Sequence, residues 1–292
     1  MPSLRHIRKR IQAVKNTEQI TRAMKMVAAA KFRRAQEAVL RARPYARQMR
    51  ATLERLASIH EEVAAHPLME SRELRHEDLV VLTSDRGLCG SFNSNVIRRV
   101  EHYLLDNADR RDKIELVAVG ERGYRYFRKQ KDVKLRRNVG GILQRPSYRQ
   151  AVELAEELAE RFLSGETDRV TLVYNEFRSA IQQVVTIRTL LPLEPPERLQ
   201  GEQPEMIDYI YEPDKKQLLD RFVRRYLANQ IYMILVESVA SEHGARMTAM
   251  ENASNNAAEM IQHLTLVFNK ARQAAITKEL LEVVSGAEAL KG

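Results

Sequence analysis

The sequence contains no tryptophan, a single cysteine and no apolar run long enough to span a bilayer. Because Cys89 has no second cysteine to join, an internal disulfide is excluded and a reducing compartment is favoured. Without an apolar run of about eighteen residues, we expect a chain that is soluble as synthesised and inserts no helix into a membrane. Aromatic residues are 6% and charged residues 30% of the 292 positions, which favours helix-rich surfaces over one large core.

Positive charge is concentrated near the N-terminus. The chain has 48 Lys and Arg against 39 Asp and Glu, a net charge of +9. The first sixty residues hold fifteen of the basic residues and only Glu18, Glu37 and Glu54 as acids. Clustered basic residues could bind nucleic acid, but only Phe32 and Tyr45 lie among them, too few to form a base-stacking surface. We therefore expect no nucleic-acid partner, and instead a solvated helix face or one that meets acidic loops of a protein partner.

The first part of the chain has the apolar spacing of a coiled-coil helix, with intervals of three and four residues. The pattern runs over residues 3–57, with Ser3 as N-cap, and it lapses at Glu18, Thr21 and Lys25. Pro44 is expected to kink or pause this helix. The seam consists of Leu4, Ile7, Ile11, Val14, Ala28, Phe32, Ala35, Val39, Ala42, Ala46, Met49, Leu53 and Leu56.

The last part has the same spacing over residues 214–285, where no proline interrupts it. Two polar residues, His243 and Arg246, break an otherwise apolar and alanine-rich seam. The seam is predicted to be Val236, Val239, His243, Arg246, Met250, Ala253, Ala257, Met260, Leu264, Val267, Ala271 and Ala274.

The middle of the chain alternates short apolar runs with helical stretches. The runs at 79–84, 114–120, 169–177 and 184–190 indicate strands, and 93–106 and 121–129 indicate helices. A third helix begins after Pro146 and Ser147 and ends before Gly165. The order βαβαβαββ predicts a small, mostly parallel, Rossmann-like α/β sheet with one antiparallel edge strand. A linker at 191–213 with five prolines leads into the last helix.

These patterns predict three domains, with a first shaft helix at 1–60, an α/β foot domain with its linker at 61–213, and a second shaft helix at 214–292. Helices of roughly 80 and 105 Å exceed what the middle domain can bury, so we expect them to form a long antiparallel coiled coil. The last helix should overshoot the first by roughly fifteen to twenty residues. That end is apolar on several faces and requires a socket in another protein.

Enzymatic readings find little support in the sequence. The loops at 86–90 and 120–123 are glycine-rich but lack G-x-G-x-x-G, so we interpret their glycines as shaping turns. The seven histidines lack metal-ligand spacing, and Cys89 has no neighbouring histidine. Asp85 and Arg86 are interpreted as an ion pair that orders a loop. We predict no catalytic, cofactor or metal residues; a nucleotide-dependent enzyme and a nucleic-acid-binding coiled coil are the alternatives, testable by dinucleotide titration and by salt-dependent DNA binding.

Four segments resemble the gamma subunit of the bacterial-type rotary ATP synthase. They are ITKELLEVVSGAEA at 276–289, TEQITRAMKMVAA at 17–29, SDRGLCG at 84–90 with Asn93, and YIYEP at 209–213. Together they extend over the whole chain. The resemblance implies a non-catalytic rotor, not an enzyme on its own, that couples proton flow through a membrane ring to ATP synthesis in an alpha/beta head.

The resemblance also implies partners and contact residues. The partners are the alpha and beta subunits, the epsilon subunit and the membrane c-ring, at the cytoplasmic side of a bacterial cell membrane as a peripheral protein. The implied ring contacts are Tyr209, Tyr211 and Glu212. The implied head contacts are Met24, Lys25, Arg246, Arg272, Gln273, Thr277 and Glu279.

Overall fold

The computed structural model describes residues 3–59, 63, 65–179, 182–194 and 214–289. Long helices begin and end this part of the chain, with a small α/β segment between them, as the sequence predicts. The helices are α1 (Leu4–Ile59), α2 (Phe92–Asp106), α3 (Glu121–Phe127), α4 (Tyr148–Leu163) and α5 (Lys215–Ala289). The strands are β1 (Glu77–Leu82), β2 (Ile114–Val119), β3 (Lys134–Val139), β4 (Arg169–Phe177) and β5 (Gln183–Leu191).

The strands form one sheet in the order β3-β2-β1-β4-β5. The pairs β1–β2, β1–β4 and β2–β3 are parallel, and β4–β5 is antiparallel at the sheet edge. The predicted βαβαβαββ order with one antiparallel edge strand is therefore confirmed. Helical crossovers connect the parallel strands, which places α-helices on both faces of the sheet.

Each face of the sheet is buried against different helices. Alternate residues of β1 point to opposite sides, so Val80 and Leu82 pack in a cluster with residues of α1, α4 and α5. Leu79 and Val81 pack on the other side with residues of α2 and with Phe127 at the end of α3. Both terminal helices thus help to cover one face of the sheet.

One strand begins two residues before its predicted position, and one strand had not been located in the sequence. β1 begins two residues earlier than expected, at Glu77, and ends at Leu82. Thr83 and Ser84, predicted to be strand, instead enter a hydrogen-bonded loop, in which Ser84 N donates to Asn93 Oδ1 at 2.8 Å. β3 was implied by the element order but had no residues assigned. Its sequence KLRRNV lacks an apolar run because the strand lies at the sheet edge and is at most half-buried.

The early start of β1 buries two acidic residues on opposite faces. Glu77 accepts hydrogen bonds from the hydroxyls of Tyr103 at 2.6 Å and Thr171 at 2.5 Å. Asp78 accepts from Arg161 Nε at 3.0 Å and Nη2 at 3.3 Å. Burial raises the pKa of Asp78, and the Arg161 guanidinium acts against that rise. Buried carboxylates are tolerated here because each has specific donors.

The helix ends show how local sequence begins each element. Ser3 caps α1, as predicted, since its Oγ accepts from His6 N at 3.3 Å. Ser147 and Gln150 form a capping box at the start of α4. Asp214 Oδ2 accepts from Gln217 N at 3.0 Å at the start of α5. Pro44 was predicted to kink or pause α1. A pause is wrong, because the helix continues through Pro44 to Ile59, and a kink there stays a prediction.

The described chain divides into two compact units, and both terminal helices contribute to both. One unit is Met1–Ala28 with Met247–Gly292. In it α1 and α5 are antiparallel: Lys25 Nζ lies 2.6 Å from Glu251 Oε1, and the Arg8 guanidinium lies 5.6 Å from the Phe268 ring centroid. The two contacts are equally spaced along both helices, as a regular coiled coil requires.

The second unit, Ala29–Arg246, contains the sheet and the remaining parts of α1 and α5. Its core includes Val39 and Leu53 of α1 and Leu227 and Ile231 of α5. In this unit also the helices make direct contact, with the Arg225 guanidinium 6.0 Å from the Tyr45 ring centroid. The three-domain division at 1–60, 61–213 and 214–292 stays a prediction.

Most of the predicted seam residues of both helices are buried or half-buried, but some predictions are wrong. The predicted lapse in α1 is wrong, because Thr21 is buried and Glu18 and Lys25 are half-buried at the expected seam spacing. In α5, Met260 and Ala274 are exposed, and the neighbouring Ile261 and Ala275 are half-buried instead. Residue type alone missed the α1 positions because a narrow seam accepts polar side chains whose ends reach solvent or an ion-pair partner.

Within the described ranges, none of the helices combines the length and the apolar character needed to cross a lipid bilayer.

We predict that Phe162→Ala lowers the free energy of unfolding by about 3–5 kcal/mol, because Phe162 of α4 is fully buried and its removal leaves a cavity. The measurement is chemical denaturation of the purified chain. Leu105→Ala is the matched control, since Leu105 is 62% exposed, and its effect should stay within about 0.5 kcal/mol. Equal losses for the two variants would contradict the assigned core.

Candidate partner-contact site

The C-terminal stretch of α5 exposes a series of large apolar side chains. Every residue at 276–286 is exposed, although the segment is helical throughout. Leu280 and Leu281 are 62% and 61% exposed, and Val283 is 69% exposed. Apolar groups in such a continuous stretch are typical of surfaces that are covered in an assembly. The end of α5 that was predicted to extend beyond α1 is therefore uncovered in the unit formed by Met1–Ala28 and Met247–Gly292.

Four predicted head-contact residues lie on or beside this exposed stretch. Arg272, Gln273, Thr277 and Glu279 are all exposed. The Thr277 hydroxyl donates to the Gln273 carbonyl at 2.9 Å, which is a bond within the helix. No hydrogen bond or ion pair between described residues engages the Arg272, Gln273 or Glu279 side chains, so their polar groups are free for a partner.

The predicted contact residues of α1 are placed differently. Met24 and Lys25 are half-buried in the same unit. The Lys25 ammonium is 2.6 Å from Glu251 of α5, so it already has an anionic partner within the chain. Sequence reasoning missed Glu251, because no local signal in one helix indicates which residue of the other will face it.

Arg246 lies in the other unit, and its guanidinium is mostly buried. Nη1 is 2.7 Å from Glu242 Oε1, and the two side chains are only 12% and 10% exposed. Nη2 donates to the backbone carbonyls of Arg86 and Gly87 at 3.3 and 3.2 Å. The predicted contact of Arg246 with a head stays a prediction, but its observed contacts are internal. The spacing of Glu242 and Arg246 by one helical turn could have revealed the ion pair.

His243 shares this environment and is held neutral. Burial, followed by the nearby charges of Arg246 and Lys31, lowers the pKa of His243 to about 4. Its Nδ1 is 3.2 Å from Arg246 Nη1, which fits an unprotonated nitrogen that accepts a hydrogen bond. Burial raises the pKa of the adjacent Glu242, and Arg246 opposes that rise.

The loop after β1 is ordered by hydrogen bonds instead of the predicted ion pair. Asp85 Oδ1 accepts from Glu121 N at 3.2 Å, and Asp85 Oδ2 accepts from Gln144 Nε2 at 3.4 Å. No Asp85–Arg86 ion pair occurs among the described residues, so that interpretation is wrong in its partner. A backbone N–H at a helix start binds a carboxylate well, and the Glu121 N–H at the start of α3 takes this role.

Steric contacts explain why glycine is needed in the turn before α3. Gly120 has φ +100°, and a Cβ there would lie 1.9 Å from the Thr83 carbonyl oxygen.

Burial raises the pKa of the Cys89 thiol, so it stays protonated and is a poor nucleophile. An open groove of about 650 Å³ beside the glycine-rich turns is basic, lined by Arg98, Arg122, Arg125 and Lys129. The acidic residue that lines the groove, Glu101, accepts a hydrogen bond from the Tyr126 hydroxyl. Because this carboxylate is already bound, we interpret the groove as a basic surface and not as a catalytic acid–base pair.

Tyr209, Tyr211 and Glu212 lie outside the described residues. Among the described residues, no group of three or more His, Cys, Asp or Glu side chains is arranged to hold a metal ion.

A Rossmann-like sheet between long terminal helices, the second of which ends in an exposed apolar stretch, defines the architectural class of this chain. A sequence model of the family described as ATP synthase matches residues 3–290. The ATP synthase gamma chain of Anaeromyxobacter sp. (strain Fw109-5) is 51% identical over 294 residues, and that of Trichlorobacter lovleyi is 47% identical over 292, with 100% of each chain covered. The chain belongs to the ATP synthase gamma chain family.

Solved structures share the fold. A chain from the central stalk and c-ring structure of the Tetrahymena thermophila mitochondrial ATP synthase has a TM-score of 0.62 and 30% identity, covering 80% of this chain and 99% of its own. A chain from the Euglena gracilis mitochondrial ATP synthase has a TM-score of 0.70 over 98% of this chain and 94% of its own; at 21% identity it supports the fold alone.

We predict that His243→Gln reduces the loss of stability on acidification. The unfolded chain protonates its histidine near pH 6.5, whereas the folded chain does so only near pH 4. The unfolded state therefore binds more protons between these values, and stability falls as pH falls through that window. Thermal midpoints at about pH 7 and pH 5 should differ less for the variant than for the parent chain. His263→Gln, which changes an exposed histidine of the same helix, is the control. A pH dependence of His243→Gln equal to that of the parent chain would contradict the prediction.

Proposed function

We propose that this chain, as the gamma subunit of a rotary ATP synthase, is the rotor that couples proton flow through a membrane ring to ATP synthesis in an alpha/beta head. Its role is structural and not catalytic, because the reacting groups belong to the partner subunits. The observation that carries the proposal is the exposed apolar end of α5, which an isolated globular protein would have no reason to keep helical and uncovered.

The exposed end of α5 is proposed to lie in a socket formed by alpha and beta subunits. Leucine and valine side chains on several faces suit a surrounding apolar collar, and Arg272, Gln273 and Glu279 supply polar groups with directional contacts. Such a helix transmits force when its orientation favours different states of its neighbours. Met24 and Lys25 of α1 are proposed to meet the same head.

The proposed foot includes Tyr209, Tyr211 and Glu212, which by the family resemblance meet the c-ring. Tyrosine combines a large apolar ring with a polar hydroxyl, which suits a wet protein interface. The epsilon subunit is a further proposed partner. In this arrangement the chain sits at the cytoplasmic side of a bacterial cell membrane as a peripheral protein.

We predict that Arg272→Ala combined with Gln273→Ala lowers ATP turnover of the assembled complex by roughly fivefold, the effect of losing an interface contact of about 1 kcal/mol. The helicity and thermal midpoint of the isolated chain should be nearly unchanged, since both side chains are exposed. The matched control is Arg47→Ala with Gln48→Ala, an equally exposed Arg–Gln pair on α1. Thermal destabilisation of the free chain in step with the loss of turnover would reassign the two residues to internal packing.

We predict that cysteines at positions 209 and 211, with Cys89→Ser as background, form oxidative cross-links to ring subunits that carry cysteines in their polar loops. These links should stop ion-coupled ATP synthesis, and a reductant should restore it. Cross-links only to alpha or beta would place the foot at the wrong end of the chain.

A further inference from the structure

The loop at 84–91, between β1 and α2, is fastened at its beginning to the α/β layer. Ser84 N donates to Asn93 Oδ1 at 2.8 Å, and the Ser84 carbonyl accepts from Arg122 N at 3.1 Å. The Asp85 carboxylate accepts from Glu121 N at 3.2 Å. These bonds hold the first two residues of the loop to α2 and α3. Within the loop, the Ser84 hydroxyl also donates to the Arg86 carbonyl at 2.5 Å, whereas the bonds to its middle from outside the loop come from another element.

The middle of the loop is held by the C-terminal helix α5. Arg246 Nη2 donates to the Arg86 carbonyl at 3.3 Å and to the Gly87 carbonyl at 3.2 Å. Its other terminal nitrogen, Nη1, binds Glu242 Oε1 at 2.7 Å. One guanidinium therefore joins a turn of α5 to two successive peptide groups of the loop.

Arginine is well suited to this bridge. Its planar group presents several N–H donors in fixed directions, so it can bind a carboxylate on one side and carbonyls on the other. Both charged side chains are almost fully buried, which makes these hydrogen bonds costly to lose. A lysine ammonium at the same place could retain the charge beside Glu242 but lacks the fork that reaches both carbonyls.

Leu88, at the tip of the 84–91 loop, has an uncommon backbone conformation. Leu88 has φ +62°, in the left-handed region that disfavours side chains, and it is 62% exposed. On the neighbouring side, the Arg122 guanidinium packs so closely on Gly87 that a Cβ there would lie 2.4 Å from Arg122 Nη2. A conformation of this kind persists only when its surroundings enforce it.

We propose that Arg246 is a positioning residue that fastens the 84–91 loop to α5, so that the loop and the helix move as one body. This assigns Arg246 an internal role. One consequence rests on the proposed function: in a rotor, the loop tip would keep a constant orientation to the turn of α5 that carries Arg246. The attachment itself is a property of the free chain.

The chain contains its own reporter of loop opening. Cys89 is the only cysteine, lies within the loop and is 2% exposed. Asn93 Nδ2 donates to its Sγ at 3.2 Å. A maleimide therefore reaches the thiol only when the loop leaves its place, and the rate of labelling under native conditions measures that opening.

The test is N-ethylmaleimide labelling of the purified full chain, followed by mass spectrometry. Arg246→Met removes the attachment and should accelerate labelling about tenfold or more, because bonds to a buried charged group are lost. Arg246→Lys should also accelerate labelling clearly while its thermal midpoint stays near that of the parent chain. Glu242→Gln leaves the donors to both carbonyls in place, so labelling should remain within about twofold of the parent.

Arg224→Met is the matched control for losing an ion pair from the same helix. Arg224 Nε binds Asp220 Oδ2 at 3.0 Å one turn away, and Arg224 has no hydrogen bond to the loop among the described contacts. Labelling of Cys89 in this variant should be unchanged. Parent-like protection in Arg246→Lys would overturn the proposal, as would equal acceleration in Arg224→Met.

Circular dichroism of each variant separates loop opening from loss of fold. If Arg246→Met does not fold, Arg246→Lys decides the question. Because no partner subunit takes part, a negative result here leaves the rotor proposal standing, and a failure of the Arg272 and Gln273 test leaves the attachment standing.

Discussion

One apolar face of the sheet depends on helices from both ends of the chain. Val80, Leu82 and Val117 form part of a face that is buried in one cluster with residues of α1, α4 and α5. The first and last segments must therefore both be present before this face is removed from water. Because hydrophobic burial provides the main favourable free energy of folding, the α/β unit and its helical parts are stabilised together.

Buried charges are tolerated where a specific donor faces each one. Glu77 is bound by Tyr103 and Thr171, Asp78 by Arg161, and Glu242 by Arg246. Each pair joins segments or turns that the apolar core alone would leave less constrained. Such pairs contribute little net stability compared with apolar residues, but an unpaired member is strongly destabilising. They therefore define which arrangement of loops and strands is accepted.

Much of this architecture could be predicted from periodicity and turn residues. The α/β order, the antiparallel edge strand and the capped start of α4 follow from apolar runs and from Pro146, Ser147 and Gly165. The polar edge strand β3 could not be located, because a strand with one exposed edge and half-buried side chains needs no apolar run. Thr21 and Ile261 were missed on the seams, since a one-residue shift of a helix face depends on its partner.

The site was less predictable for a related reason. The exposed end of α5 follows from counting residues on two helices of unequal length. Contacts such as Lys25 with Glu251 and Arg246 with the Gly87 carbonyl join residues far apart in sequence, and they depend on three-dimensional register. The family resemblance identified candidate contact residues. It did not distinguish Arg272, which is exposed, from Arg246, whose N–H donors already bind groups within the chain.

The uncovered leucines and valines of α5 also bear on how such a chain survives before assembly. In the proposed assembly other subunits surround this apolar helix end, so a surplus of this chain over its partners would leave that end in water. There it can associate with another copy, be captured by a chaperone or be cut by a protease. Under that proposal, its cellular lifetime would depend on subunit stoichiometry as well as on the stability of its own fold.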